Sequence, residues 1–235
     1  MTQKDEIWLK ALDCMKHAFE ENNCKYFLDT GTLLGAIRDK QFIPWDNDID
    51  LGVVDCKDQH TCILNICEYM YKHGYNVTAT NHEIDVFDNT GLLDLGVKFY
   101  ANNSEEYMAS FGKILGSALM HMLYMSLSKE IIFKKGYGKY NVKAVISYIL
   151  RKLSIITPLS IIDYIWYKSK VSVQHLSIPK YLLSDFDDYM FYGVSFKAPK
   201  QDYHTFLGQL CRSCTLNGIR QIHPLCFVRF DGILG

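Results

Sequence analysis

Two aspartates separated by one residue, Asp48 and Asp50, carry the densest chemical signal in the sequence, and Asp46 lies two positions before them. On a β-strand, residues i and i+2 project to the same face, so the two carboxylates would stand side by side. Adjacent carboxylates repel each other unless a cation lies between them, and oxygen ligands suit Mg²⁺ or Mn²⁺. A lone Asp-x-Asp triplet is also common in solvated loops. The apolar residues interleaved here, Ile49 and Leu51, favour a metal-binding strand.

A Gly-Thr pair, Gly31 and Thr32, precedes these acids at the point where a predicted strand over residues 25–28 enters a predicted helix over residues 31–38. Thr30 is available as the helix cap. Backbone N–H groups at such a helix start can hold a phosphate, which makes Gly31 and Thr32 candidate donor-binding residues. The segment is not a P-loop, because the Gly-x4-Gly-Lys-Ser/Thr pattern is absent from it.

These segments resemble a known family. The stretches GTLLGAIR at residues 31–38 and IPWDNDID at residues 43–50 are similar to the signature of the LicD family, in a nearly ungapped match over residues 26–53. That family includes bacterial phosphocholine transferases and is related to fukutin and fukutin-related protein. The resemblance implies a nucleotidyltransferase-like fold in which Asp48 and Asp50 bind a divalent metal. It also implies transfer of a phospho-alcohol from a CDP-linked donor to a glycan hydroxyl.

A second block, FYGVSFKAP at residues 191–199, is similar to a later block of the same family. Tyr192 stands where the family has an acidic residue. The last forty residues depart from the family pattern.

The family's sites add a third carboxylate from a later strand. Asp94 lies alone in an apolar run, where an unpaired charge is costly, and we predict that it acts as a metal ligand or general base. Asp85 is the second choice, and a plain edge-strand acid is the alternative for Asp94. Arg38 is a candidate contact for donor phosphates or a helix-end cation. Trp45 is a candidate stacking surface for a base or a choline group or a packing residue.

Two further aspartates have weaker predicted roles. Asp46 is either an extra metal ligand or a turn residue before the strand, and Asp29 is a candidate helix cap.

The eight cysteines are scattered, and free thiols are expected in a reducing compartment. One group near the C-terminus stands apart, because it begins with Cys-x2-Cys and offers four candidate zinc ligands: Cys211, Cys214, His223 and Cys226. The alternative interpretation is a set of ordinary thiols, since the second pair is irregularly spaced.

The periodicity predicts an α+β protein, with strands and helices mixed over residues 1–104 and a mostly helical portion over residues 105–235 that packs with them as one unit. The resemblance implies that residues 1–104 form a nucleotidyltransferase-like core around a mixed β-sheet. Helices are predicted at 4–22, 31–38, 57–73, 105–133, 141–156, 159–170 and 201–210, and strands at 25–28, 48–54, 75–79, 83–87, 92–101 and 189–196.

The composition excludes one class of function. The 235 residues include 25 Lys and Arg against 26 Asp and Glu, so the basic excess of a duplex nucleic-acid binder is missing.

No secretory signal or membrane-spanning run is seen, which predicts a cytoplasmic protein. The basic, apolar stretch over residues 134–170 either contacts the inner face of an anionic membrane near a lipid-linked acceptor or covers the core. Aromatic residues make up 14% of the chain, and most are expected in the core.

The sequence therefore predicts a phospho-alcohol transferase dependent on Mg²⁺ or Mn²⁺ that decorates a surface glycan such as lipopolysaccharide, capsule or teichoic acid. Phosphocholine from CDP-choline is the first donor that the resemblance implies, and CDP-ribitol and CDP-glycerol are alternatives. Two other classes remain open: a non-catalytic glycan- or nucleotide-binding relative, and a zinc-stabilised interaction protein.

Overall fold

The computed structural model describes residues 1–80, 82–114, 131–133, 158, 160–161, 164–165, 168, 171–200 and 208. The C-terminal cysteine and histidine group and the predicted helix over 141–156 lie outside these residues. Within 159–170, the described positions are helical, as predicted. None of the helices in the described part of the chain is long and apolar enough to cross a membrane.

The first helix, α1, spans Gln3–Glu21, close to its predicted bounds. Its start is fixed by a capping box: the Thr2 hydroxyl accepts a hydrogen bond from the Asp5 amide, and the Asp5 carboxylate accepts one from the Thr2 amide. Apolar residues at helical spacing form its buried stripe: Trp8, Ala11, Leu12, Met15, Ala18 and Phe19.

The remaining helices are short. The predicted helix over residues 31–38 is observed as α2, Thr30–Leu34, followed directly by a π-helical segment over Gly35–Asp39. Its cap is Asp29 rather than Thr30, because the Asp29 carboxylate accepts a hydrogen bond from the Thr30 amide. Helix α3 spans Gln59–Lys72 and is capped by Asp58, and a 3-10 turn follows later at Lys180–Leu183.

Ten strands are observed in the described residues, and most strands predicted in the first hundred residues are confirmed to within two residues at each end. Their bounds are β1 Lys25–Leu28, β2 Ile49–Val54, β3 Asn76–Ala79, β4 Glu83–Phe87, β5 Asp94–Asn103, β6 Glu106–Ile114, β7 Ile131–Phe133, β8 Val171–Pro179, β9 Phe186–Phe191 and β10 Val194–Pro199.

Eight of these strands form one mixed sheet. Its main path is β1-β2-β5-β4-β3-β7, and β6 pairs with both β5 and β8. Strands β2 and β5 are parallel, whereas the other pairs are antiparallel. The predicted α+β class with a mixed sheet is therefore confirmed.

The two faces of the central strands differ in chemistry. Along β5, Leu95 and Val97 are buried in the same hydrophobic cluster as the apolar stripes of α1 and α3. The alternate positions, Asp94, Gly96 and Lys98, point to the opposite face. We call this second surface the polar face of the sheet.

Two predictions beyond residue 104 are wrong. The helix predicted over 105–133 is replaced at 106–114 by β6 and at 131–133 by β7. The single strand predicted over 189–196 is a hairpin, in which β9 and β10 pair around a turn at Tyr192 and Gly193. Both of these turn residues have positive φ angles, which break a continuous strand.

Aromatic rings attach the β9–β10 hairpin to the segment that precedes Asp46. Phe42 contacts both Phe191 and Tyr192 at ring centroid distances of 5.0 and 5.2 Å. The Tyr192 hydroxyl accepts a hydrogen bond from the Phe42 amide at 3.1 Å, and the Tyr189 hydroxyl donates to the Ala36 carbonyl at 3.1 Å. Part of the aromatic surplus is thus core packing, and Tyr192 has a structural role where the family has an acid.

Gly52 is required by close packing between β1 and β2. It lies opposite Phe27 in the antiparallel register, and a Cβ atom at Gly52 would lie only 2.2 Å from the Phe27 ring. We expect Gly52→Ala to lower the free energy of unfolding by about 2 kcal/mol or more, because the ring has to move within a packed core. Denaturant unfolding of the purified variant measures this.

Gly96→Ala is the matched control, since a Cβ there meets nothing closer than 3.7 Å. It should cost markedly less stability than Gly52→Ala. Equal destabilisation by both substitutions would contradict the packing argument.

Candidate active site

One row of residues crosses the polar face of the sheet. Asp50 on β2 pairs with Gly96 on β5, and Gly96 pairs with Asp85 on β4. Residues directly opposite each other in a sheet share a face, so both carboxylates are on the polar face, with a glycine between them. The missing side chain at Gly96 leaves space beside Asp50.

Asp50 is held by its backbone and its side chain. Its amide donates to the Thr32 hydroxyl at 2.9 Å, and its carbonyl accepts from the Asp29 amide at 3.1 Å. One carboxylate oxygen accepts from the Lys98 ammonium at 2.7 Å, and the other accepts from the Thr30 hydroxyl. With Asp50 only 8% exposed, its position is fixed by β1, α2 and β5 together.

Asp29 is fully buried beside Asp50. Its carboxylate accepts hydrogen bonds from the Tyr100 hydroxyl at 2.7 Å and from the Thr30 amide at 2.8 Å. Burial raises the pKa of Asp29, the charge of Lys98 opposes this, and Asp50 adds to it. The predicted capping role is confirmed, and the contact with Tyr100 ties the cap to β5.

Lys98 is the cation of the polar face, and sequence reasoning missed it. Burial lowers the pKa of Lys98, but the charges of Asp50 and Asp29 raise it more strongly, so the net direction is upward. The ammonium therefore stays charged beside Asp50. The sequence signal that could have found Lys98 is its spacing from Asp94, because residues 94, 96 and 98 lie on the same face of β5.

Four carboxylates gather where β2 and β5 begin, and we call Asp46, Asp48, Asp50 and Asp94 the acidic cluster. Asp46 is 8% exposed; its pKa is raised by burial, although a hydrogen bond with Asp48 opposes the rise. The pKa of Asp94 is raised by partial burial and by the charges of Asp48 and Asp50. The structure thus brings the predicted acids into electrostatic contact.

The carboxylates of this cluster are near one another, but no three of them have oxygen atoms that all lie within 4.8 Å of one another. In the described part of the chain, the only metal-capable group of three whose ligand atoms all lie within 4.8 Å of one another is formed by cysteines, and it is treated below. The carboxylates of Asp48, Asp50 and Asp94 are spaced more widely, with the Lys98 ammonium on Asp50.

The predicted donor-binding residues lie in different environments. Gly31 and Thr32 are buried, and the Thr32 hydroxyl accepts from the Asp50 amide, so Thr32 positions β2. Arg38 donates through Nε and Nη2 to the two carboxylate oxygens of Asp39 at 2.7 and 2.6 Å. Trp45 is 58% exposed beside Asp46, so it is not a core residue.

Asp85, the second choice for a third carboxylate, lies farther along the polar face on β4. Burial and the charges of Glu83 and Asp94 raise the pKa of Asp85 to about 6, while a 3.4 Å hydrogen bond from the Thr78 hydroxyl opposes this. Asp85 therefore titrates near neutral pH.

The raised pKa of Asp85 predicts a pH-dependent cost to stability. An unfolded carboxyl titrates near 3.9, so the folded protein binds this proton more tightly, and ionisation destabilises the fold as pH rises through about 6. We expect Asp85→Asn to raise the free energy of unfolding by about 1–2 kcal/mol at pH 8. The gain should vanish towards pH 4, and urea unfolding at both pH values measures it.

The exposed Asp187 on β9 provides the control, and Asp187→Asn should change stability little at either pH. A gain from Asp85→Asn that is the same at pH 4 and pH 8 would contradict the burial of an ionisable carboxyl.

The segment that contains this site is similar to known proteins. Residues 23–108, from just before β1 into β6, match the family model described as the LicD/FKTN/FKRP nucleotidyltransferase domain. The chain is 38% identical over 73 residues to an uncharacterized protein of Rickettsia prowazekii, which covers 30% of this chain and 27% of that protein. It is 43% identical over 51 residues to the lipopolysaccharide cholinephosphotransferase LicD of Haemophilus influenzae, covering 22% of this chain and 19% of that enzyme.

A further relative is an uncharacterized protein of Rickettsia typhi, 45% identical over 55 residues, or 22% of this chain and 18% of that protein. The chain thus spans between 18% and 27% of the length of these relatives. The similarity is local, and the matched family domain contains the whole acidic cluster.

Proposed function

We propose that this protein is a metal-dependent phosphotransferase that moves a phospho-alcohol from a CDP-linked donor to a glycan hydroxyl, and the match of residues 23–108 to the LicD/FKTN/FKRP nucleotidyltransferase domain supports this. The observation that carries the proposal is the fixed position of Asp50, with Asp48 and Asp94 in electrostatic contact with it. These acids would repel an anionic donor unless a cation were bound among them.

The donor set fits a hard divalent cation. Oxygen ligands in partly buried surroundings suit Mg²⁺ or Mn²⁺. Burial raises the pKa of Asp94, and the charges of Asp48 and Asp50 raise it further; a cation would relieve the repulsion among these three carboxylates. Asp48, Asp50 and Asp94 would hold the ion. Bound there, it would neutralise charge on the transferring phosphate and orient the donor.

The chain's own residues supply the remaining functions. Lys98 and Thr30 orient the Asp50 carboxylate through their contacts with its two oxygens. Asp94 is exposed at the start of β5, and its raised pKa makes its carboxylate oxygen a better acceptor for the proton of the acceptor hydroxyl. The exposed Trp45 ring beside Asp46 offers a stacking surface for a base or a choline group.

Phosphocholine from CDP-choline is our first donor, because a relative that carries the same domain is named as a lipopolysaccharide cholinephosphotransferase. CDP-ribitol and CDP-glycerol are alternative donors of the same class. The acceptor we propose is a hydroxyl of lipopolysaccharide, capsule or teichoic acid, reached at the cytoplasmic face of the membrane.

One observation favours a second candidate, a non-catalytic glycan- or nucleotide-binding relative. Both carboxylate oxygens of Asp50 already have partners in Lys98 and Thr30, and the Arg38 guanidinium is engaged by Asp39. A binding protein could retain this arrangement without turnover, so the test must separate binding from catalysis.

Donor turnover is the direct test. Incubation with Mg²⁺, a glycan acceptor and CDP-choline, CDP-ribitol or CDP-glycerol should release CMP from one donor. Asp48→Asn and Asp50→Asn should each lower the rate by at least about 100-fold, because each removes an ionic metal ligand. Calorimetric binding of each CDP-alcohol, measured in parallel, identifies a non-catalytic relative as a protein that binds without CMP release.

The control variant is Asp187→Asn, an exposed acid on β9 that should retain full activity. Full activity in Asp48→Asn or Asp50→Asn, with circular dichroism unchanged, would overturn the metal-site assignment.

Lys98 provides a test that needs no substrate. Removing its ammonium in Lys98→Met leaves Asp50, Asp29 and Asp48 to repel one another, so we expect a loss of about 3 kcal/mol without divalent ions. Mg²⁺ should then raise the melting temperature more in this variant than in the parent protein, since the ion takes over the lost neutralisation. Differential scanning fluorimetry with and without Mg²⁺ measures both effects.

Lys25→Met is the matched control, because Lys25 is 60% exposed and pairs with Asp55 at 3.3 Å on another part of the sheet. Its response to Mg²⁺ should equal that of the parent. If Mg²⁺ shifts all three proteins equally, the acids around Lys98 do not hold the ion.

A further inference from the structure

Three cysteines that lie far apart in sequence meet at the end of β2 remote from the acidic cluster. Cys24 precedes β1, Cys56 follows β2, and Cys62 lies in the first turn of α3. Their three sulfur atoms all lie within 4.8 Å of one another, and the Sγ atoms of Cys24 and Cys62 are 2.6 Å apart. We call these residues the thiol cluster.

Local backbone contacts hold each thiol in place. The Cys24 amide donates to the Phe19 carbonyl at 2.9 Å, which closes the end of α1. The Cys62 amide donates to the Asp58 carbonyl at 2.9 Å in the capped first turn of α3. Asp55, directly before Cys56, accepts from the Tyr107 hydroxyl at 2.8 Å. The three sulfurs are therefore brought together by separate, individually anchored segments.

We propose that the thiol cluster binds one thiophilic metal ion, of which Zn²⁺ is the representative. Two sulfurs bonded to one zinc at about 2.3 Å each stand about 3.8 Å apart in a tetrahedral site. All three sulfurs lie within 4.8 Å of one another, so one ion can reach them once Cys24 and Cys62 separate from their 2.6 Å contact. Sulfur donors select Zn²⁺ and Cu(I) among biological ions. The proposal is independent of the phosphotransferase assignment.

A disulfide is the competing chemistry for these residues. It would join only two sulfurs, at about 2.05 Å, and leave the third thiol beside the bond without a covalent role. A metal ion uses all three sulfurs, so convergence of three thiols favours the metal. Cys24 and Cys56 are half-buried whereas Cys62 is buried, so solvent can reach the ion and fill the fourth position.

The site would join four elements of the core. The ion would link the segment between α1 and β1 to the end of β2 and to the start of α3, which packs against α1 and β3. Because the unfolded chain does not hold these three thiols together, the binding energy would stabilise the fold. A structural role, rather than a role at the acidic cluster, follows from this position.

Cobalt titration tests the proposal, because Co²⁺ bound by thiolates gives an intense charge-transfer absorption in the near ultraviolet. The full chain, carrying Cys211→Ser and Cys214→Ser to remove the other candidate ligands, is reduced and freed of metal before titration. We expect the absorption to saturate at one Co²⁺ per chain and to disappear when Zn²⁺ displaces the cobalt. Zn²⁺ should also raise the melting temperature.

Cys56→Ser and Cys62→Ser should each weaken metal binding by at least about 100-fold. Cys56 lies in a loop and is half-buried, so its variant retains the fold even if the buried Cys62→Ser does not. Cys14→Ser is the matched control, because Cys14 is a half-buried thiol of α1 outside the cluster. It should bind cobalt as the parent does.

Three results would overturn the proposal: no thiolate absorption in the parent after reduction, full absorption in Cys56→Ser, or a Cys24–Cys62 disulfide that survives treatment with a reductant. Mass spectrometry after thiol alkylation detects the last, since a disulfide leaves two cysteines unmodified.

Discussion

The hydrogen bonds of Asp50 hold β1, α2, β2 and β5 together. Its amide, its carbonyl and both carboxylate oxygens are engaged by Thr32, Asp29, Lys98 and Thr30. One residue thereby fixes the spacing between β1, α2, β2 and β5. A carboxylate so little exposed is costly to bury unless it is paired and hydrogen-bonded, and Lys98 meets that requirement. The direction and position of the Asp50 side chain are therefore set before any ligand arrives.

The near-neutral net charge conceals a strong local separation. The polar face of the sheet concentrates the acidic cluster together with Asp85 and Glu83, and upward pKa shifts at Asp46, Asp85 and Asp94 express the mutual repulsion and burial of these groups. The opposite face is apolar and lies against the helices. This arrangement explains the alternating pattern on β2 and β5, because successive side chains of a strand point in turn to the apolar core and to the charged face.

Local pattern sufficed for most elements of the first hundred residues. The predicted strand over 25–28 is observed with the same bounds, and β4 likewise, because alternation and nearby turn residues define them. The helix predicted over 105–133 is wrong at β6, because the strand state of this segment is set by pairing with β5 and β8 rather than by a local pattern. The hairpin turn at Tyr192 was missed because positive φ at a tyrosine is uncommon.

The site shows the same division between local and long-range information. Asp48, Asp50 and Asp94 could be named from spacing, and the role of Asp29 as a cap could be named from its place before a turn. Lys98 could not, because its partner Asp50 lies 48 residues away. Nor could the thiol cluster, whose members come from three elements with no shared spacing. The pairing of Arg38 with the adjacent Asp39 could not be predicted either, because it depends on side-chain conformation.

The strand β2 has carboxylates at its start and a thiol just beyond its end, roughly 20 Å from Asp50 at about 3.3 Å per residue. Carboxylates are inert to oxidants, whereas thiols are converted to sulfenic acids and disulfides. Under the two proposed assignments, loss of the metal ion would affect the start of β2, whereas oxidation of the thiols would affect the segment beyond its end. Recovery from the first would need only the return of the ion, whereas recovery from the second would need a reductant.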